Sequence, residues 1–398
     1  MPRIALYSHD TMGLGHIRRN LQLAQAIAGA RPDTAVLLIS GTHLGGAFRM
    51  PPRVDCLTLP ALVKHEQTGA YGPRHLPVSI GDLVSLRART VRSALESFEP
   101  DVLVVDNVPL GALGEMEPAL ASLGMSGRTR VALGLRDVLD EPRVITREWA
   151  RAGHHEAIAR YYDQVWIYGD PAVYDVAREC GFPESTRARV RWVGYLDRRA
   201  VAEPADLALL SEVRGAFTLC MAGGGQDGGE VARAFAGAAF PRGEHGVLLT
   251  GPFMPEGVQD EVKALARARG DLHVIDFADN PAALVSRASR VVGMAGYNSV
   301  CEILTYRKPA LLVPREHPRR EQAIRAERFR VLGLVDVLPT HQLTSARLSA
   351  WVKGKTSVAV GPWPRLTATH RVTRLVEELL GPTAPSAWPA TERTAHAH

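Results

Sequence analysis

Short apolar, β-rich runs alternate with longer stretches of helical periodicity from one end of the chain to the other. In the first half the runs are Arg3–Ser8, Ala35–Ile39, Val54–Leu59, Val102–Val105, Val131–Leu135, Gln164–Tyr168 and Arg191–Val193. In the second half they are Phe217–Met221, Gly246–Leu249, Leu272–Ile275, Arg290–Gly293, Ala310–Val313 and Val335–Val337. Continuous apolar runs separated by helical patterns predict parallel strands covered on both faces. Ile17, Leu21, Ala24 and Ala28 share one helical face, so the first crossover helix is expected to begin near His16.

The pattern restarts near residue 200. Glu203-Pro204-Ala205-Asp206 is a polar break, and Phe217 opens a new strand, Gly-rich loop and helix. The expected class is α/β, with two doubly wound Rossmann-like domains facing a cleft. The first spans 1–200, a linker 201–213, and the second 214–362. A last helix over Leu366–Leu380, within 363–380, is expected to pack back on the first domain, ahead of a disordered tail at 381–398. Ligands of open α/β sheets bind outside the carboxyl ends of the strands, so the loops that follow the strands hold the candidate chemistry.

Composition narrows the classes. With 398 residues, 46% hydrophobic and 22% charged, the chain is globular and long enough for two cores. The net charge of +5 is mild, and Lys and Arg are interleaved with acids, so no nucleic-acid footprint is indicated. Cys56, Cys180, Cys220 and Cys301 form no C-x-x-C pair and read as reduced thiols of a cytoplasmic protein. Met1-Pro2-Arg3 leads into a strand and not a signal peptide, and no run approaches the ~18 apolar residues that cross a bilayer. Leu83–Arg92 is basic and partly amphipathic, and fits either a membrane-surface helix or a packed helix with a solvated Arg face.

Five loops carry candidate chemistry. The first strand runs into Ser8-His9-Asp10-Thr11-Met12-Gly13-Leu14-Gly15-His16, where glycines allow a ligand close to the backbone. His16 at the helix start suits a general base or a loop histidine satisfied by backbone, and Asp10 could orient an imidazole. Gly223-Gly224-Gly225-Gln226 offers N–H groups to an anion but lacks the Lys and Ser/Thr of a Walker loop. Gly296-Tyr297-Asn298-Ser299 precedes a helix expected to start near Asn298 or Ser299, so free N–H donors would converge on a diphosphate. Ser299-x-x-Glu302 is also a legitimate capping box, which leaves Glu302 as cap or ribose ligand. Phe277, with its neighbours, could stack a flat base or lie in the core. Glu321-Gln322 could grip sugar hydroxyls or merely open a solvated helix.

These loops in this order resemble the GT-B glycosyltransferases, family 28 above all, from Gly13-Leu14-Gly15-His16 to Glu321-Gln322. The resemblance is densest over Val291–Pro314. It implies a donor site of Gly15, Gly223, Gly224, Gly225, Gln226, Phe277, Ala278, Gly296, Tyr297, Asn298, Ser299, Glu302, Glu321 and Gln322, with Glu302 on the ribose. It implies His16 as base; Asp106, which follows the Val102–Val105 strand into the cleft, is by its position a catalytic or acceptor-binding candidate. The acceptor would meet Asp10, His65 and Tyr71, the last two in the Pro60–Pro77 loop. Arg18-Arg19 and the sparse glycines of the first loop depart from the cell-wall enzyme of that family. The expectation is an inverting transferase that moves a hexose or N-acetylhexosamine from a UDP-linked donor to a small-molecule hydroxyl. No D-x-D motif or ligand cluster is present, so no metal and no cofactor are expected. High Ala, Arg and Pro usage suggests a GC-rich bacterial source and a natural-product acceptor. A nucleotide-sugar hydrolase, an epimerase or a non-catalytic binding protein are the rival expectations on the same scaffold.

Overall fold

The computed structural model describes residues 1–10, 14–42, 48–64, 70–199, 210–211, 213, 215–224, 226–278, 280–354 and 362–381. Two fully parallel sheets organise it. The first has the order β3-β2-β1-β6-β7-β8-β9. Its strands are β1 (Arg3–Ser8), β2 (Ala35–Ser40), β3 (Val54–Thr58), β6 (Val102–Asp106), β7 (Arg130–Arg136), β8 (Gln164–Tyr168) and β9 (Val190–Trp192). The second has the order β12-β11-β10-β13-β14-β15. Its strands are β10 (Phe217–Met221), β11 (His245–Leu249), β12 (Leu272–Ile275), β13 (Arg290–Gly293), β14 (Ala310–Leu312) and β15 (Asp336–Val337). Every expected strand is present within a residue or two at its ends. In both sheets the strand order reverses beside the first strand of the domain, which opens the crevice where α/β proteins take ligands.

The Pro60–Pro77 segment is more than a loop. It holds an antiparallel pair, β4 (Leu62–Lys64) and β5 (Tyr71–Pro73), too short to show periodicity in the sequence. The basic segment 83–92 belongs to the Ile80–Phe98 helix, which starts where Ser79 Oγ accepts from the Asp82 N–H at 3.1 Å. Leu83, Arg87, Ala88, Val91 and Leu95 of that helix face inward, and buried Arg87 pairs with buried Glu115 at 2.5 Å. It is a packed helix. Among the described residues no helix is long and apolar enough to cross a membrane.

The Ala368–Leu380 helix lies against the first crossover helix, Gly15–Ala30. Its approach is fixed by main-chain bonds between Tyr195 and both Arg365 and Ala368. One apolar cluster runs without a break from Ile4 and Ile17 through Tyr195 and Tyr297 to Phe329, so the domains share a packed floor beneath the cleft. Tyr195 and Tyr297 stack there at 6.0 Å. Of the expected linker at 201–213 only Leu210, Ser211 and Val213 are described, and the expected tail beyond Gly381 lies outside the described residues.

Candidate active site in the interdomain cleft

β1 and β6 are neighbours in the sheet, so residues at their carboxyl ends meet although some 90 positions separate them. His16, in the first turn of the Gly15–Ala30 helix, places Nδ1 2.7 Å from Asp106 Oδ2. Arg19, one turn on, reaches both oxygens of Asp106 at 2.5 Å. Asp106 and Arg19 are each about 1% exposed. Burial opposes ionisation of Asp106, but Arg19 and His16 beside it outweigh that and hold the carboxyl well below the usual range. A carboxylate at Nδ1 favours the tautomer that keeps a lone pair on Nε2, the nitrogen left to the cleft. The His9 ring lies 5.1 Å from His16 and is buried with Nδ1 unpartnered. Burial, followed by the proximity of His16, lowers the pKa of His9 to about 3, so it stays neutral.

Across the cleft, β13 feeds the Tyr297–Tyr306 helix, whose N-cap is Gly296 with no side-chain cap bond. The first N–H groups of that helix are therefore open donors at its positive end. Gly223 (φ +66) and Gly224 follow β10 and lie against Gly251, where a Cβ would stand 2.6 Å from the Gly223 carbonyl oxygen. Two cavities join here. A base-side cavity of about 180 Å³ is lined by Phe277, Ala278, Asn298, Glu302 and Arg18. A reaction-side cavity of about 370 Å³ is lined by Tyr71, Gln226, Glu321, Gln322, Trp149 and His9. It opens into a groove of about 1740 Å³ with charged walls that include Glu148, Arg315 and Arg319.

Residues 229–357 match the glycosyltransferase family 28 C-terminal domain. The chain is 25% identical over 346 residues to a Saccharopolyspora erythraea UDP-N-acetylglucosamine--N-acetylmuramyl-(pentapeptide) pyrophosphoryl-undecaprenol N-acetylglucosamine transferase, covering 84% of this chain and 81% of that one. Among solved structures, Phytolacca americana UGT2 complexed with UDP-2fluoro-glucose and pterostilbene superposes with a TM-score of 0.60 at 13% identity, over 96% of this chain and 94% of that one. The UDP-GlcNAc 2-epimerase from Methanocaldococcus jannaschii gives 0.59 at 12% identity, over 94% and 98%. The chain is a glycosyltransferase of the GT-B fold, with a family 28 C-terminal domain over residues 229–357.

Several residues of this glycosyltransferase sit differently from expectation. Asp10 is 4% exposed, and its carboxylate accepts from Ser8 Oγ (2.5 Å), Ser40 Oγ (2.7 Å) and the Ile17 N–H (3.0 Å). It braces the helix start and reaches neither an acceptor nor His16; Asp106 orients the imidazole instead. Asp106, buried and bonded on both oxygens, likewise cannot meet an acceptor hydroxyl or amine. The capping box at Ser299-x-x-Glu302 does not form, because the helix already starts at Tyr297 and Ser299 is its third residue. Glu302 is 2% exposed and stands 3.7 Å from Arg198; burial raises its pKa, with Arg198 opposing. The Tyr297 side chain goes to the interdomain core and stacks on Tyr195, so it is not available to a ligand in the cleft.

Other expected residues gather at the cleft but already have protein partners. Asn298 Nδ2 donates to the Gly15 carbonyl at 3.1 Å, across the domains. Arg18 donates to the Ala278 carbonyl at 2.6 Å and lies over the Phe277 ring at 5.6 Å. Glu321 Oε1 accepts from Arg315 at 2.6 Å while Oε2 is buried without a partner, and Gln322 Oε1 accepts from the Arg315 N–H at 3.2 Å. His65 and Gly225 lie outside the described residues. Arg19, Arg136 and Arg198 were not anticipated at the site. The Arg18-Arg19 pair was visible in the sequence, but nothing local says that Arg19 turns inward to Asp106.

Proposed function

We propose that this glycosyltransferase moves a hexose or N-acetylhexosamine from a UDP-linked donor to an acceptor hydroxyl, by an inverting, metal-independent displacement. One observation carries the reading: His16, held by Asp106, lines the same two adjoining cavities as the uncapped start of the Tyr297–Tyr306 helix and the Gly223-Gly224 turn. His16 Nε2 takes the proton of the acceptor hydroxyl as its oxygen attacks the anomeric carbon. Asp106 keeps the ring oriented and stabilises the imidazolium that forms. The bond from that carbon to the diphosphate breaks, and the departing charge meets preorganised N–H donors. The helix end adds roughly 0.3–1 kcal/mol beyond direct hydrogen bonds. Base and leaving group on opposite sides of the sugar give inversion in one step. Glu302 holds the ribose, and Glu321 with Gln322 the sugar hydroxyls. The polar groove beyond the reaction-side cavity leaves room for an acceptor larger than one sugar, a small natural product in our reading.

The fold shared with a UDP-GlcNAc 2-epimerase keeps hydrolysis or epimerisation as the rival. A calorimetric panel of nucleoside diphosphates, followed by turnover of the matching sugar donor with an acceptor panel, separates them. Free or epimerised sugar released without acceptor, as fast as any transfer, would remove the transferase reading. His16→Ala is expected to keep donor affinity and lose turnover by about 10²- to 10⁴-fold. Unchanged turnover would sink the base assignment.

A further inference from the structure

Arg136 ends β7, at the carboxyl edge of the first sheet. Three arginines crowd this part of the cleft floor, and two of them have counter-ions. Arg19 is paired with Asp106 at 2.5 Å and Arg325 with Asp137 at 2.7 Å. Arg136 has none: its Nε is buried without a hydrogen-bond partner, and no described carboxylate lies within 4.0 Å of its guanidinium. The residue is half-buried, and a guanidinium that has lost part of its solvent is costly unless something anionic meets it. Burial lowers its pKa, to about 10, with distant Glu321 opposing, so it remains a cation at neutral pH.

Its position says which anion. The base-side and reaction-side cavities share six lining residues: His16, Arg136, Gly223, Gly224, Gly296 and Ser299. A nucleotide sugar with its base in one cavity and its sugar in the other has to thread its diphosphate through that ring. The second domain contributes glycines, a serine and main-chain N–H groups to the ring; Arg136 contributes its permanent positive charge. We propose that Arg136 binds the donor's diphosphate from the first domain, opposite the helix start at Gly296–Ser299. The assignment rests on the nucleotide-sugar reading above. In the transfer step the acceptor oxygen bonds to the anomeric carbon and the carbon–phosphate oxygen bond breaks. The electron pair stays on the phosphate, where Arg136 neutralises part of it, and the acceptor proton goes to His16. Because the anion is gripped from both domains, the donor also draws the cleft closed.

Calorimetry on the full chain with UDP and with uridine tests this, comparing wild type, Arg136→Gln and Arg136→Lys. Charge-assisted hydrogen bonds of this kind correspond to about 10- to 100-fold in affinity. Arg136→Gln is expected to lose that much for UDP and nothing for uridine, with Arg136→Lys recovering part, since lysine supplies the charge without the fork. UDP affinity within about twofold of wild type in Arg136→Gln overturns the proposal. Equal losses for UDP and uridine overturn it too, because they describe a scaffold role. Wild-type protein that binds no nucleoside diphosphate removes the donor reading and this assignment together, whereas the other two results remove only Arg136.

Discussion

Replacing Asp106 by Asn should cost this protein both stability and turnover, and the first cost follows from the geometry. Arg19 touches both Asp106 oxygens at 2.5 Å, and both side chains are about 1% exposed. Removing the carboxylate charge leaves a guanidinium buried with no counter-ion. Opposite charges about 4 Å apart at an effective dielectric near 20 interact by about 4 kcal/mol. Measured losses on breaking one side of a buried pair are about 3–5 kcal/mol, which agrees. For a domain of about 200 residues each kcal/mol moves the melting midpoint by roughly 2–4 °C, so a fall of roughly 8–16 °C is expected at pH 7. Calorimetry or circular dichroism reads it. The sign with pH is fixed as well. The folded carboxyl titrates below its unfolded value near 3.9, so its stabilisation is complete above that pH and disappears as pH falls through the folded value. Wild type and variant should therefore converge in acid. Removing both partners, Arg19→Met with Asp106→Asn, should restore most of the midpoint while turnover stays low. A melting change under roughly 3 °C for Asp106→Asn would refute the view that this pair is a buried, charged device.

Glu302→Gln should weaken UDP by about tenfold or more while leaving 2′,3′-dideoxy-UDP unaffected, because the lost contacts are those to ribose hydroxyls; equal weakening of both ligands would contradict the ribose role. Stability should fall as pH drops from about 6.5 towards 3, because His9, at about 3 when folded, takes up its proton only on unfolding in that window. His9→Asn should flatten that slope in acid titrations followed by denaturant unfolding. A residual slope from His154, lowered to about 4 chiefly by burial, should remain, and an unchanged slope would rule His9 out. The His16→Ala test above adds a stability readout: without His16 the buried Asp106 still keeps Arg19 on both oxygens, so the melting change should be smaller than that of Asp106→Asn.

Local pattern alone determined the two-domain α/β class, because runs such as Leu103–Val105 and Val291–Val292 are buried on both faces and so read as unbroken apolar strands. It also located the Gly-rich turns and the small-residue approach to the Tyr297–Tyr306 helix, since those positions need backbone freedom or close approach that only certain residues permit. Motif likeness added roles to Glu302, Glu321 and Gln322 that composition could not. Local pattern failed where two competing local readings had to be ranked. Ser299-x-x-Glu302 is a sound capping box in isolation, but packing starts the helix at Tyr297 and turns Glu302 inward toward Arg198. Three-residue strands at 62–64 and 71–73 carry no period, and only their mutual pairing makes them visible.

The chemistry that depends on pairing across the sheet was a property of the tertiary structure alone. His16 finds Asp106 and not the nearer Asp10 because β6 lies beside β1, while Asp10 is consumed by Ser8, Ser40 and the Ile17 N–H. Two of three neighbouring arginines are neutralised by aspartates from other segments, and Arg136 is left as the unpaired charge. Sequence spacing cannot contain that difference. A charge is paired or free according to which distant strand ends the fold brings within a few ångströms, and its free energy follows from the burial that the same packing imposes.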